Sequence, residues 1–270
     1  MLEQTKETAD YLRKHYSPNT RTGIILGTGL GGLVNEIDIR DTAAYVDIPN
    51  FPVSTVEGHE GRLIFGSISG TEIIAMQGRF HYYEGYSMQQ VTFPVRVMQA
   101  LGITNLFVSN ASGGLNPDFN VGDIMVITDH INMFGDNPLI GKNINEFGPR
   151  FPDMSEPYSR TLTNRAFEIA KKYGIELRKG VYVGTAGPTF ETPAEYKFFR
   201  VIGGDAVGMS TVPEVIVACH AGITCFGISI ITDSGVPGQI VEISHEEVQE
   251  VAAKAEPKMT KIIAELVASV

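Results

Sequence analysis

The sequence has 270 residues, with 21 Lys and Arg against 31 Asp and Glu for a net charge of −10, and 43% hydrophobic against 19% charged residues. That length allows one large domain or two small ones, and the composition is that of a folded globular chain able to bury a core unaided. The acidic balance excludes a nonspecific nucleic-acid binder, which needs surplus cations to displace counterions, and two cysteines, Cys219 and Cys225, are too few for a disulfide framework.

The N-terminal stretch MLEQTKETADYLRKHY is polar and charged, unlike a signal peptide or membrane anchor. No apolar run approaches the roughly 18 residues of a membrane span. A soluble, cytoplasmic protein is therefore expected. Repeats, low-complexity tracts and linker-like runs are absent, so residues 1–270 read as a single domain.

In chain order, apolar residues at intervals of three and four predict a helix over Glu3–Tyr16. Short runs rich in Ile, Val and Phe then predict strands at Gly23–Leu26, Arg62–Ile68 and Ile73–Met76. A helical pattern covers Met88–Ala100, followed by strands at Asn105–Ser109 and Ile124–Thr128. A helix over Arg160–Tyr173 precedes a strand at Gly180–Gly184. Thr192-Pro193 has the form of a cap followed by a first-turn proline, opening a helix to about Ile202. A strand at Ile223–Thr232 comes before Ser244-His245-Glu246-Glu247, whose Ser-x-x-Glu spacing is a capping box for a last helix to about Leu266. Strands alternating with helices imply an α/β protein with a largely parallel or mixed sheet, in which functional residues follow the strands.

Six post-strand segments stand out. Gly27-Thr28-Gly29-Leu30-Gly31-Gly32 offers backbone amides and a hydroxyl to an anion. A tight turn and, because the GxGxxG spacing is met only loosely, a dinucleotide loop are the competing readings. Gln77–Tyr86 places Arg79 and His81 two apart, on one side of an extended segment, with three tyrosines close by. Arg supplies a fork of donors for an oxyanion, and the aromatics suit a sugar. Asn110-Ala111-Ser112-Gly113-Gly114 again frees backbone amides, or is a routine turn. In Thr185–Thr192, Phe190 and Glu191 suit a planar heterocycle with N–H groups, although an acid near a helix start is sound without a ligand. Gly208-Met209-Ser210-Thr211 is a hydroxyl pair ahead of an apolar helix, read equally well as a plain N-cap. Ile231-Thr232-Asp233-Ser234 ends a strand on an acid, and His245 opens the last helix.

The series GTGLGG, GHEGR, QGRFHYYEGY, NASGGLN, RFPDMS, AGPTFET, DAVGMSTVPEVIVA and SHEEV, in this order from about Thr22 to the C-terminus, resembles the trimeric purine nucleoside phosphorylases. The resemblance implies a phosphorylase/hydrolase-like α/β fold with a central mixed, barrel-like β-sheet flanked by α-helices. It implies a pentosyltransferase of nucleoside metabolism and purine salvage, splitting purine (deoxy)ribonucleosides with inorganic phosphate into free base and (deoxy)ribose 1-phosphate. Phosphate is then a co-substrate, with no organic cofactor and no metal. By the same resemblance Thr28, His59, Arg79, His81, the Ala111 amide and Ser210 take the phosphate. Thr28 stands where the family usually has Ser, which keeps the donor. Tyr83, Met209 and His245 match ribose contacts, and Phe190, Glu191, Val207 and Asp233 match positions around the base. Phe151 matches an aromatic that closes a neighbouring subunit's site, which makes a homotrimer part of the expectation. Catalysis is expected of Glu191, Asp233 and His81.

Where 6-oxopurine-specific members carry Asn, this chain has Asp233. An amide donates to N7 and serves O6, whereas an ionised carboxylate only accepts and suits the 6-amino group of adenine. A protonated Asp233 could donate to N7, and Glu191 suits the N1–H and 2-amino group of guanine. Inosine and guanosine are the expected substrates, with adenosine activity open. Arg79→Ala is expected chiefly to impair phosphate use. The rival readings are a methylthioadenosine phosphorylase, a noncatalytic purine-binding protein on the same scaffold, and an NAD-dependent dehydrogenase resting on the first glycine loop alone.

Overall fold

The computed structural model describes residues 1–27, 31–53 and 60–270. Its centre is one nine-stranded sheet, in the order β2-β3-β4-β1-β5-β8-β7-β6-β9, with β9 returning to pair with β5. The strands are β1 (Thr22–Leu26), β2 (Asp38–Ala44), β3 (Arg62–Ile68), β4 (Thr71–Gln77), β5 (Asn105–Gly114), β6 (Ile124–Met133), β7 (Leu177–Thr185), β8 (Ala206–Gly208) and β9 (Thr224–Ser234). The β5–β9 pairing closes five strands into a ring, which removes their free edges, and leaves β2-β3-β4-β1 as an arm extending from β5. Parallel pairs (β1–β4, β1–β5, β5–β9, β6–β7, β7–β8) and antiparallel ones (β2–β3, β3–β4, β5–β8, β6–β9) coexist, so the sheet is mixed and barrel-like as expected.

Helices cover both faces: α1 (Leu2–Tyr16), α2 (Met88–Val91), α3 (Phe93–Leu101), α4 (Arg160–Tyr173), α5 (Pro193–Val201), α6 (Val212–His220) and α7 (His245–Val267). Leu12 of α1, Met98 of α3 and Val215 of α6 share one buried apolar cluster with Ile25, Phe65 and Val108 of the sheet. Ala166 and Ile169 of α4 and Ile262 and Leu266 of α7 build a second with Ile24, Phe107 and Ile228. Neighbouring residues of one strand feed opposite clusters, as period-2 geometry demands. Ser244 caps α7 with the predicted reciprocal Glu247 contact, and Thr192, expected as a cap before Pro193, also forms a capping box with Glu195 at the start of α5.

Two expectations change, and one strand was not expected. The Met88–Ala100 helix is two helices, because Thr92 leaves helical geometry to cap a second start with Pro94 in its first turn. The strand expected to stop at Ser109 runs on to Gly114, so the glycine-rich NASGG segment is strand and not a turn. Strand β2 is exposed at six of its seven positions and so carries no buried-face alternation to read.

Candidate active site

Strand β5 is the spine of the largest concentration of predicted residues. On one edge it pairs with β1 over Asn105–Val108 and with β8 at Gly113 and Gly114. Among the described strands, none pairs with residues 109–112 on that edge. Into this gap open Arg79, His81, Tyr83, Ala111, Phe190, Glu191, Val207, Met209, Ser210, Asp233 and His245, which line one cleft of about 670 Å³. Eleven expected residues from six separate segments therefore meet in one place.

At one end of the cleft Arg79, just past β4, is 1% exposed. Its Nη1 donates to the Ser109 carbonyl at 2.9 Å and to Ser210 Oγ at 3.0 Å, while Nε lies 3.1 Å from Glu214 Oε1. Gly27, at the end of β1, touches the same spot: a Cβ there would come within 2.6 Å of the Ser109 carbonyl oxygen. That close approach, and no positive φ, is what requires the first glycine of the GTGLGG run.

His81 is fixed by its neighbours. Glu84 Oε1 accepts from the His81 backbone amide at 2.7 Å and lies 3.2 Å from Nδ1, and the Tyr83 ring stacks on the imidazole at 4.7 Å. Burial lowers the imidazole's pKa, against the raising effect of its hydrogen bond to the Glu84 carboxylate. With Nδ1 engaged by Glu84, contact with a ligand in the cleft falls to Nε2.

Ser210 is aimed by a strained turn. Thr211 has φ 71° and ψ −51°, and the Val212 amide donates back to the Ser210 carbonyl at 2.7 Å, a γ-turn of the uncommon positive-φ kind. A β-branched residue pays for such a conformation with strain, which persists only where the surroundings impose it. Here Asn110 Nδ2 donates to Thr211 Oγ1 at 2.8 Å, and Asn110 Oδ1 accepts from Ser229 Oγ at 2.5 Å. Thr211 is the N-terminal flank of α6 but makes no side-chain cap bond, so the plain N-cap reading fails.

At the other end stand two carboxylates. Asp233 of β9 pairs with Gly113, four residues or about 13 Å along β5 from the Ser109 contact of Arg79. A Cβ at Gly113 would sit 2.9 Å from Asp233 Oδ2, so the glycine makes room for the carboxyl. Asp233 accepts from Thr232 Oγ1 at 3.0 Å and from Tyr196 Oη at 3.3 Å. Burial pushes its pKa up, with those two hydrogen bonds opposing. Glu191 accepts from Thr185 Oγ1 at 3.3 Å. Burial raises its pKa too, the Asp233 and Glu195 charges adding to the rise and hydrogen bonds from its own amide and Thr185 opposing it.

Of the remaining expected residues, one stands apart from this constellation and two are not described. Thr28 and His59 lie outside the described residues. Phe151 is 86% exposed and lines a separate hollow with His130 and Arg150, apart from the cleft of its own chain. Sequence reasoning missed Asn110, Glu214 and Tyr196, and read Thr211 only as part of a hydroxyl pair. Glu214 left one signal, being the only acid in the apolar run VPEVIVACH; Asn110 and Tyr196 left none for the roles they take. The run after Gly27 resumes as a six-residue 3₁₀ helix, Gly31–Glu36, and not the α-helix that a dinucleotide loop opens. Among the described residues, no group of three or more His, Cys, Asp and Glu is placed to hold a metal ion, and no helix is long and apolar enough to cross a membrane.

Comparison with known proteins follows the same lines. A family model described as the phosphorylase superfamily matches residues 21–268. Purine nucleoside phosphorylase 1 of Bacillus subtilis (strain 168) is 52% identical over 268 residues, covering 99% of each chain. Two crystal structures of purine nucleoside phosphorylase from Schistosoma superpose closely. The hypoxanthine complex has a TM-score of 0.94 at 40% identity, covering 100% of this chain and 98% of that one. The adenosine complex of the Schistosoma mansoni enzyme has a TM-score of 0.95 at 41% identity, with the same coverage.

Proposed function

The chain belongs to the phosphorylase superfamily, among its purine nucleoside phosphorylases, and we propose from that membership which residues carry the reaction and which bases it takes. The enzyme cleaves purine (deoxy)ribonucleosides with inorganic phosphate, giving free base and (deoxy)ribose 1-phosphate. We assign the phosphate to Arg79, His81, Ser210 and the Ala111 amide, with Thr28 and His59 completing it by resemblance. Tyr83, Met209 and His245 take the ribose, and Phe190, Glu191, Val207 and Asp233 the base. The observation that carries this assignment is the gap in β5, lined at one end by Arg79 and Ser210 and at the other by Glu191 and Asp233.

Breaking the C1′–N9 bond leaves positive charge on the sugar and sends the bonding electron pair into the purine. A phosphate dianion held below the ring stabilises that cation and supplies the oxygen that bonds to C1′. The site must therefore hold the dianion without cancelling its charge. Arg79 suits this because Glu214 offsets its cation, leaving oriented dipoles from Ser210 and the backbone to do the positioning. Binding the dianion beside His81 favours the imidazolium, against the lowering by burial. At the purine end, Glu191 accepts from N1–H and the 2-amino group. Asp233, raised in pKa by burial, supplies a proton donor toward N7 and O6 when neutral, and an acceptor for a 6-amino group when ionised. Inosine and guanosine are the main substrates on this reading.

Phe151, exposed on its own protomer, closes the sugar side of a neighbour's cleft in a cytoplasmic homotrimer, with residues 1–270 acting as one domain. The direct test is release of hypoxanthine from inosine with and without phosphate. Release in step with ribose 1-phosphate, and only with phosphate, is expected; equal release in its absence would contradict the reading.

A further inference from the structure

Tyr196 stands behind the base end of the cleft without lining it. It sits one turn into α5, is 4% exposed, and packs in the small apolar cluster with Leu115, Val183, Phe199 and Val207. Its hydroxyl leaves that cluster toward the two carboxylates of the cleft, donating to Asp233 Oδ2 at 3.3 Å with Glu191 as a second acceptor within reach. Gly235 holds the space for the ring, since a Cβ there would collide with Tyr196. Thr232 Oγ1 donates to the other carboxyl oxygen, Oδ1, at 3.0 Å. Both oxygens of Asp233 thus receive a hydroxyl proton from the protein.

We propose that Tyr196 is a positioning residue for base selection, holding the Asp233 carboxylate as a hydrogen-bond acceptor and so admitting a 6-amino purine beside the 6-oxo purines. A neutral carboxyl must donate its proton from one oxygen, and a hydroxyl already donating to that oxygen makes the ionised form the better partner. Burial works the other way, favouring the neutral carboxyl that would donate to N7 and O6. Tyr196 sets where that balance falls. The titratable groups on this wall are Glu191 from the segment before α5, Tyr196 itself and His245 at the start of α7. From β5, Asp233 meets Gly113, which brings no charge.

The test resting least on the phosphorolysis reading is base binding. Affinities for adenine and hypoxanthine are measured by calorimetry between about pH 5.5 and about pH 8, where both bases stay neutral, in the parent, Tyr196→Phe, Asp233→Asn and the double variant. In Tyr196→Phe, adenine should weaken relative to hypoxanthine by roughly three- to tenfold near neutrality, the size of one ordinary hydrogen bond lost. The pH midpoint of the affinity ratio should move up. In Asp233→Asn the ratio should no longer follow pH, and adding Tyr196→Phe should change it no further. An unchanged ratio and midpoint in Tyr196→Phe would overturn the proposal, and so would an equal effect in the presence and absence of Asp233. Phosphorolysis of inosine run on the same samples judges the activity separately: its loss in the parent would contradict the reaction assigned above, while the binding ratio still decides on Tyr196.

Discussion

Arg79 and Glu214 form an ion pair whose side chains are 2% and 4% exposed, so removing Arg79 strands the Glu214 charge in the interior. Truncating one partner of such a pair costs about 3–5 kcal/mol. Arg79→Ala should therefore lower the unfolding free energy by that order in a denaturant titration, alongside the impaired phosphate use expected of it. Ser210→Ala isolates the anion contact better. It removes one hydroxyl at 3.0 Å from Arg79 and leaves the pair intact. The KM for phosphate should rise roughly tenfold, the worth of one hydrogen bond to a charged group, with unfolding nearly unchanged; an unmoved phosphate KM would place the anion elsewhere.

Glu191 and Asp233 make an opposite statement about stability. Both have folded-state pKa values raised above their unfolded ones, chiefly by burial. Ionising them in the folded protein is thus costlier than in the unfolded chain. Their destabilising effect is absent at low pH, appears as pH rises through the unfolded carboxyl range near about 4, and is complete above the raised values. Glu191→Gln and Asp233→Asn should each raise Tm at pH 8, with the gain vanishing in acid, the usual exchange of stability for a working site. A gain that persisted unchanged in acid would show that the carboxylates are not the cause. Asp233→Asn should also raise the inosine-to-adenosine ratio of kcat/KM, because an amide can donate to N7 and O6 and no longer offers two acceptor oxygens. An unchanged ratio would mean that Asp233 does not meet the six-position of the base.

At the scale of elements, the cleft exists because β5 outruns its partners. Residues 109–112 have β9 on one side and, among the described strands, nothing on the other, and the turn at Thr211 is pinned there by Asn110 and Ser229. Asn110→Ala cuts both bonds and leaves the side chain of a positive-φ threonine with its contact to Ser210 Oγ at 3.2 Å but without its anchor on β5. Stability should fall by about 2–4 kcal/mol, from the unsatisfied buried groups and the loosened turn, and phosphate KM should rise with it. A stable variant with unaltered phosphate use would show that the turn is set by other contacts.

Much of this was legible beforehand, and the limits have physical causes. Apolar runs and the capping signals at Thr192 and Ser244 placed most elements, because those signals are local in the chain. The glycines of NASGG suggested a turn, yet they serve a strand that must pass close to Asp233 and Ile231. That need arises from β9, more than a hundred residues away, and no local pattern encodes it. Arg79, His81, Glu191 and Asp233 could be named from their segments. The hydroxyl of Tyr196 and the amide of Asn110 act across the fold, so only coordinates connect them to the site.

On the scale of the whole molecule, Phe151 is the most exposed large apolar side chain of the described residues, at 86%. An aromatic held in water, with Arg150 5.6 Å from its ring centroid, fits a surface completed by another copy. Phe151→Ala should leave the unfolding of a protomer nearly unchanged and lower kcat/KM for inosine roughly tenfold, about 1.4 kcal/mol of lost contact with the sugar. Mixed assemblies of Phe151→Ala with an Asp233→Ala chain should regain activity, since some clefts then combine an intact base site with an intact neighbouring aromatic. No recovery on mixing would confine the site to one protomer.

The most direct measurement is a crystal structure with phosphate and a non-cleavable inosine analogue bound together. The account predicts the oxyanion against Ser210 and Arg79 and the purine between Phe190, Glu191 and Asp233, bridged by a sugar over Ala111. Occupancy instead of the wider hollow of about 1450 Å³ lined by Thr128, Arg160 and Lys179, with the β5 cleft left empty, would contradict it.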